Sequence, residues 1–384
     1  MAGQRSIFED VGSDTPRPPT PKGGMIDAGR DRGRRAVRIW LIVIFALVVA
    51  MIAVGGLTRL TDSGLSITEW RPVTGAIPPL SDADWQAEFA KYQQSPEYRL
   101  QNSQMDLQAF KTIFWWEWGH RLLGRVIGLV WAVGLVFFAA TRRVPAGWMG
   151  RLLVLGVLGG LQGAIGWWMV ASGLEGNRVD VASYRLAVHL GLAFAILGLA
   201  FWMILDLGRS ETDLMQARRV GERRLFALGT GLMHMAFLQI LLGALVAGID
   251  AGRAFPTWPL MNGSFFPADA FYVPDGGATW RAFFENPGLV QFNHRMFGYL
   301  LFAFAIVAWL RGRKSAHPVT AGAFTLVLVG ILAQIALGIF TALYAAPLQL
   351  GLAHQLGAIA VLCFILRARH LAQSPIVQSI RGSH

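Results

Sequence analysis

Apolar and polar stretches alternate along this chain on the scale of whole helices. Apolar runs near the ~20 residues that cross a bilayer fall at about 39–58, 119–140, 152–170, 186–206, 225–247, 294–310, 319–343 and 352–366. Eight membrane helices are predicted, the sixth and the last being the shortest. Between the first two runs the stretch from Arg59 to Trp116 is long for a helical hairpin, and connections of that length are usually functional. Within it, Ser81 followed by Asp82, Asp84, Trp85, Phe89 and Tyr92 spells a capped amphipathic helix with its aromatics on one side. This helix is expected to lie on the membrane surface. The corresponding later loop, Asp250 to Asn293, carries Pro256, Pro259, Pro267 and Pro274 and is expected to hold less helix.

The pattern occurs twice. Gly55, Asp62, Gly64, Trp70, Gly75 and Pro79 recur 188 positions later as Gly243, Asp250, Gly252, Trp258, Gly263 and Pro267. His120-Arg121 with Gly124 recurs as His294-Arg295 with Gly298, Gln162 with Gly166 recurs as Gln334 with Gly338, and His189 matches His354. A period of ~170 to 190 residues exceeds any solenoid unit and marks two fused domains. Four helices per repeat bring both halves in from the same side, so a pseudo-twofold axis along the membrane normal is expected to relate them. The fold class is therefore all-α integral membrane, with two tandem four-helix bundles. The expected division is a disordered tail at 1–36, a first half at 37–207, a linker at 208–224, a second half at 225–370 and a tail at 371–384.

Composition agrees with a lipid solvent: 54% of residues are apolar, 15% are charged and mean hydropathy is positive. The net charge of +11 reflects topology. Arg30 to Arg38, Arg142 and Arg143, Arg209 to Arg224, Arg311 to Lys314, and Arg367 and Arg369 all fall on one side, which the positive-inside rule makes cytoplasmic. Both termini are expected there. The other side carries the acids Asp62, Glu69, Asp82, Asp84, Glu88, Asp106, Glu117, Asp269, Asp275 and Glu285. No soluble module interleaves basic residues with exposed aromatics, which excludes nucleic acid as a partner. Met1 to Gly29 reads as a disordered cytoplasmic tail. Its acids, Glu9, Asp10, Asp14 and Asp27, argue against a mitochondrial transit peptide and favour a bacterial inner membrane. The single cysteine, Cys363, lies in the last helix, so no intrachain disulfide staples the outer loops.

The candidate chemistry lies in four histidines, His120 paired with His189 and His294 with His354. Each is expected near the outer start of a helix, and helices two and four of each half run the same way, so the members of a pair share a depth. Two neutral imidazoles facing each other across a bundle are suitable axial ligands for heme iron. Position i+4 after each is small: Gly124, Ala193, Gly298 and Ala358. That spacing is expected to give a porphyrin clearance. Arg121 and Arg295 are expected to point outward, toward propionates. A lone histidine of this kind more often serves as a packing residue, and the matched pairs reverse that weighting. His234, whose repeat partner is Ala46, reads as a polar packing residue, and His317, His370 and His384 read as solvated.

The run from Gly55 through Ser66, followed by Glu69-Trp70, the Gly75 to Pro79 turn, Trp118-Gly119-His120-Arg121 and Asn293-His294-Arg295, resembles heme A synthase over about residues 37 to 367. It is most similar to the cysteine-free branch of that family, found in proteobacteria and mitochondria. The resemblance implies oxidation of the C8 methyl of heme O to a formyl group, giving heme A for terminal cytochrome oxidases. It also implies a heme b cofactor on His294 and His354, with substrate heme near His120, His189 and Arg121. Methyl oxidation releases electrons and protons, and a carboxylate beside the substrate would help. Glu69 is the expected catalytic acid, because the repeat offset places Thr257 opposite it and leaves the second half without one. Implied partners are heme O, heme A, membrane lipid, heme O synthase and oxidase assembly factors, with a homo-oligomer left open. Two other classes stay open on the residues alone: a diheme b-type electron-transfer protein, and a heme transporter or chaperone. A prenyltransferase is disfavoured, since no Asp-rich diphosphate motif is present.

Overall fold

Inside hydrocarbon every backbone amide must bond within its own segment, and a long apolar run answers as a helix. A computed structural model of the protein describes residues 25–376 apart from 175, 177, 274 and 275, with side chains from 32 onward. Among the described residues, 8 helices are long and apolar enough to cross a membrane. They are α1 (Met25–Leu60), α2 (Leu107–Ala140), α3 (Met149–Ala171), α4 (Ser183–Leu207), α5 (Arg223–Gly248), α6 (Pro287–Gly312), α7 (Pro318–Leu343) and α8 (Leu348–Gln373). The chain is a multi-pass membrane protein. α1 is already helical at Met25, within the 1–36 span expected as a tail; residues 1–24 of that span, and His384, lie outside the described residues.

Caps explain where the helices outrun their apolar segments. Asp106 accepts from the Ala109 amide at 2.8 Å and starts α2 well before residue 119, while Asn286 accepts from Leu289 at 2.9 Å and, with Pro287, starts α6 before residue 294. His120 consequently lies thirteen residues into its helix rather than at its end, and His189, His294 and His354 lie six or seven residues in.

Each half closes into a ring of four. In the first, α1 packs on α2 and α4, and α3 packs on α2 and α4; in the second, α5 and α7 do the same with α6 and α8. The histidine-bearing helices thus occupy opposite corners of each ring. Tryptophans lock neighbouring helices by packing on glycine while donating to backbone: Trp40 lies against Gly134 and donates to the Val130 carbonyl at 3.0 Å, and Trp131 lies against Gly156 and donates to Leu152 at 3.0 Å. The halves meet where α1 and α4 contact α5 and α8. There the Gln355 amide donates to the Ile52 carbonyl at 2.9 Å.

On the basic side, Arg34 donates to the carbonyls of Asp206 and Arg209 and pairs with Glu211. His370, expected to be solvated, is instead 4% exposed and bonds Asp206 at 3.1 Å, because α8 carries it under α4 rather than out into a tail. His234 is exposed, with Nδ1 2.8 Å from the Thr230 carbonyl of its own helix, so the reading of it as a packing residue does not hold. The amphipathic helix forms at Asp82–Tyr92 with a full capping box between Ser81 and Asp84. Its aromatic face packs on protein: Trp85, Phe89 and Tyr92 are buried against Phe110 and Phe114 on the extension of α2 before its apolar run.

Candidate functional site

Every one of the four histidines stands against a glycine on the neighbouring helix of its own ring. A Cβ built on Gly55 (α1) would lie 2.7 Å from Cε1 of His120, and one on Gly166 (α3) 2.8 Å from that of His189. In the second half the values are 3.0 Å for Gly243 (α5) against His294 and 2.9 Å for Gly338 (α7) against His354. Any side chain there would push the ring aside, so glycine leaves room for each histidine ring. The sequence marked these four glycines as repeat positions without revealing their partners.

Glutamines orient three of the rings. Gln162 approaches Nδ1 of His189 at 3.2 Å, Gln239 that of His294 at 3.1 Å, and Gln334 that of His354 at 3.2 Å. Each amide also donates to the carbonyl of the same histidine, at 3.0, 3.0 and 2.7 Å. Nδ1 of His120 is buried without a partner.

The second-half pair fits a bis-imidazole heme. With a metal–nitrogen bond of about 2 Å on each side and roughly 1 Å more from nitrogen to ring centre, the two rings should stand about 6 Å apart. The observed centroid distance between His294 and His354 is 6.3 Å, with the rings at 78°. The amide oxygens of Gln162 and Gln239 are buried without partners. The i+4 positions serve differently from expectation: Gly124 makes room for Met51 (3.3 Å) and Gly298 for Gln239 (3.2 Å). Side chains from the next helix fill the space expected to clear a porphyrin.

The acids separate clearly. Glu69 is half-buried and ion-paired with Arg71 and with Lys91 (3.3 Å). The acid that the structure brings to the histidine level is Glu117, one turn before His120 and 3% exposed. Its carboxylate accepts from the Ser66 hydroxyl and the Ile67 amide, both at 2.7 Å, and from Arg121 at 2.5 Å. At the matching place in the second half stands neutral Gln291, which accepts from Arg295 at 3.3 Å. Thr257, opposite Glu69, is a turn residue accepting from the Asn262 amide.

Arg121 and Arg295 pin the outer loops. Arg121 donates to the carbonyls of Ile67 (2.8 Å) and Glu69 (3.1 Å), and Arg295 makes the repeat-equivalent bond to Phe255 at 2.8 Å. Arg59 knots the halves together by donating to Asp62 and Asp250, both at 2.8 Å, with Asp180 at 3.5 Å. Burial raises the Asp180 carboxyl above the usual range. Beneath the Asp82–Tyr92 helix, burial pushes the Glu97 carboxyl up to about 8. One of its oxygens is buried without a partner.

Residues 38–366 match the COX15-CtaA family, described as cytochrome oxidase assembly proteins, and that span takes in all four histidines with their glycines and glutamines. The chain belongs to this family. Curated members resemble it from end to end. It is 62% identical over 380 residues to a heme A synthase of Paracoccus denitrificans, covering 99% of both chains. It is 62% identical over 384 residues, covering 100% of both, to one of Ruegeria pomeroyi, and 58% identical over 385 residues to one of Roseobacter denitrificans.

Proposed function

We propose that this chain is a heme A synthase, converting the C8 methyl of heme O into the formyl group of heme A. The observation that carries this reading is an asymmetry inside a symmetric frame. Both halves keep a histidine pair with its glycines, yet among the described residues only the first places a buried carboxylate, Glu117, beside a histidine. One half then suits a resident cofactor and the other a reaction. The near-identical length and high identity shared with curated heme A synthases support the same assignment.

In this reading His294 and His354 would hold heme b, which would supply an electron relay. Heme O binds at His120 and His189, at the level of the outer loops. Gly55 and Gly166 let those imidazoles reach the interior, and the helix Asp82–Tyr92 with the pinned Ile67–Glu69 segment shields that end from water. Glu117 is the acceptor for the protons that methyl oxidation releases, held in place by Ser66, the Ile67 amide and Arg121. Glu69, already paired with Arg71 and Lys91, acts through its carbonyl bond to Arg121. The address is a bacterial inner membrane with both termini cytoplasmic, and heme O synthase and oxidase assembly factors are the expected partners.

A diheme electron-transfer protein would share the histidine pairs, but it would have no use for an acid in one half alone. Expression in cells that make heme O and lack heme A separates the readings. Heme A should appear with the parent chain and be absent with His120→Ala. Failure of the parent to yield any heme A would refute the synthase assignment.

A further inference from the structure

The basic side of the protein holds a cleft of about 380 Å³ where the two halves and their linker meet. That volume lies within the roughly 300 to 1,000 Å³ typical of small-ligand sites. Its rim is cationic: Arg151 comes from the start of α3, Arg218 from the linker helix Glu211–Arg219, and Arg369 from near the end of α8. Below the rim stand Leu199, Trp202 and Met203 of α4, so the cleft is basic at the helix ends and apolar toward the bundle.

The acid in the cleft, Asp206, is already engaged, 3.1 Å from Nε2 of His370 and 3.5 Å from Arg151. Among the described residues, neither Arg218 nor Arg369 has a carboxylate partner. Arg369 is nonetheless held in place. Its Nε donates to the Thr230 hydroxyl at 2.9 Å, and its guanidinium lies 4.7 Å from the ring centre of Trp202 and 4.3 Å from that of Phe226. A guanidinium fixed in this way, with its terminal nitrogens unbonded, is suited to the oxygens of a phosphate. Two uncompensated cations above an apolar floor match a ligand with an anionic head and an apolar body. Inorganic phosphate lacks the body, and a zwitterionic headgroup would bring its ammonium against the arginines. The ends of membrane-spanning helices also lie at the level of the lipid headgroups. We infer that this cleft binds the phosphate of an anionic phospholipid of the phosphatidylglycerol type, which fastens the linker to both halves.

The test uses the full chain, purified and stripped of lipid by detergent exchange, then titrated in micelles with phosphatidylglycerol or phosphatidylethanolamine. Native mass spectrometry counts the lipid bound. One phosphatidylglycerol should bind ahead of any further adducts, and phosphatidylethanolamine should bind about fivefold more weakly or worse. A basic side chain beside an anionic headgroup changes affinity about fivefold, so Arg218→Gln and Arg369→Gln should each weaken phosphatidylglycerol binding by about that factor or more. Arg219→Gln, on the same helix but outside the cleft, should bind as the parent does. Arg218 is exposed and unbonded, so its variant keeps the fold and decides the matter if Arg369→Gln fails to accumulate. Unchanged phosphatidylglycerol binding in either folded variant, equal weakening by Arg219→Gln, or equal affinity for phosphatidylethanolamine would each overturn the inference. Displacement of the lipid by millimolar inorganic phosphate would overturn it as well, by making the ligand a soluble anion.

Discussion

A histidine in a membrane helix is only as useful as the gap opposite it, and here glycine makes the gap four times. Replacing Gly338 by valine drives new atoms into the space of the His354 ring, where even a Cβ would stand at 2.9 Å. Gly338→Val should lose most of its low-spin b-type absorbance. Gly322→Val, on the same helix with nothing within 4 Å of its Cβ position, should keep it. Equal spectra from the two would remove the glycines from the account. The carboxylates give a second residue-scale prediction. Glu117→Gln should leave heme b bound and block heme A formation, whereas Glu69→Gln should retain most of it; the reverse order would restore Glu69 as the acid. The histidines were legible because they repeat. Glu117 is not legible as a site residue from hydropathy, because the apolar run starts near residue 119 and leaves the acid outside it, whereas α2 starts at Leu107. Two signals would have found it: the Asp106 cap, and the offset of 174 that carries His120 to His294 and Glu117 to Gln291.

Among the elements, the extension of α2 above its apolar run is what the periodicity could not show, since residues 107–118 are amphipathic and pair with a helix of the same loop. The capping box at Ser81 was legible and formed as read; the destination of its aromatic face was not, because that depends on Phe110 and Phe114 being helical. Glu97 makes this outer layer sensitive to pH. Its carboxyl is raised from 4.5 to about 8, so the folded layer favours the protonated form. The stability this contributes is complete below about pH 4.5 and is lost as pH rises through about 8. Proteolytic nicking of the outer loop, corrected for the protease's own pH profile, should increase between pH 6 and 9 in the parent. It should stay level in Glu97→Gln. A parallel rise in both would show that Glu97 does not govern the layer.

For the whole molecule, the count of eight helices and four per half followed from apolar run lengths, and each half does close into a ring of four. What joins the halves was not legible: Arg59 with Asp62, Asp180 and Asp250, and Gln355 with Ile52, are contacts between positions that no local pattern relates. If both termini are cytoplasmic, as proposed from the basic turns, an alkaline phosphatase fusion after Arg369 should be inactive; activity would reverse the proposed topology. The most direct test of two unequal heme sites in one frame is the heme content of the purified chain from cells that make heme O. Chromatography of extracted hemes should find heme b together with heme O or heme A. His294→Ala and His354→Ala should remove the heme b, and His120→Ala and His189→Ala should remove the other. Two equivalents of heme b in the parent, with neither heme O nor heme A, would contradict the account.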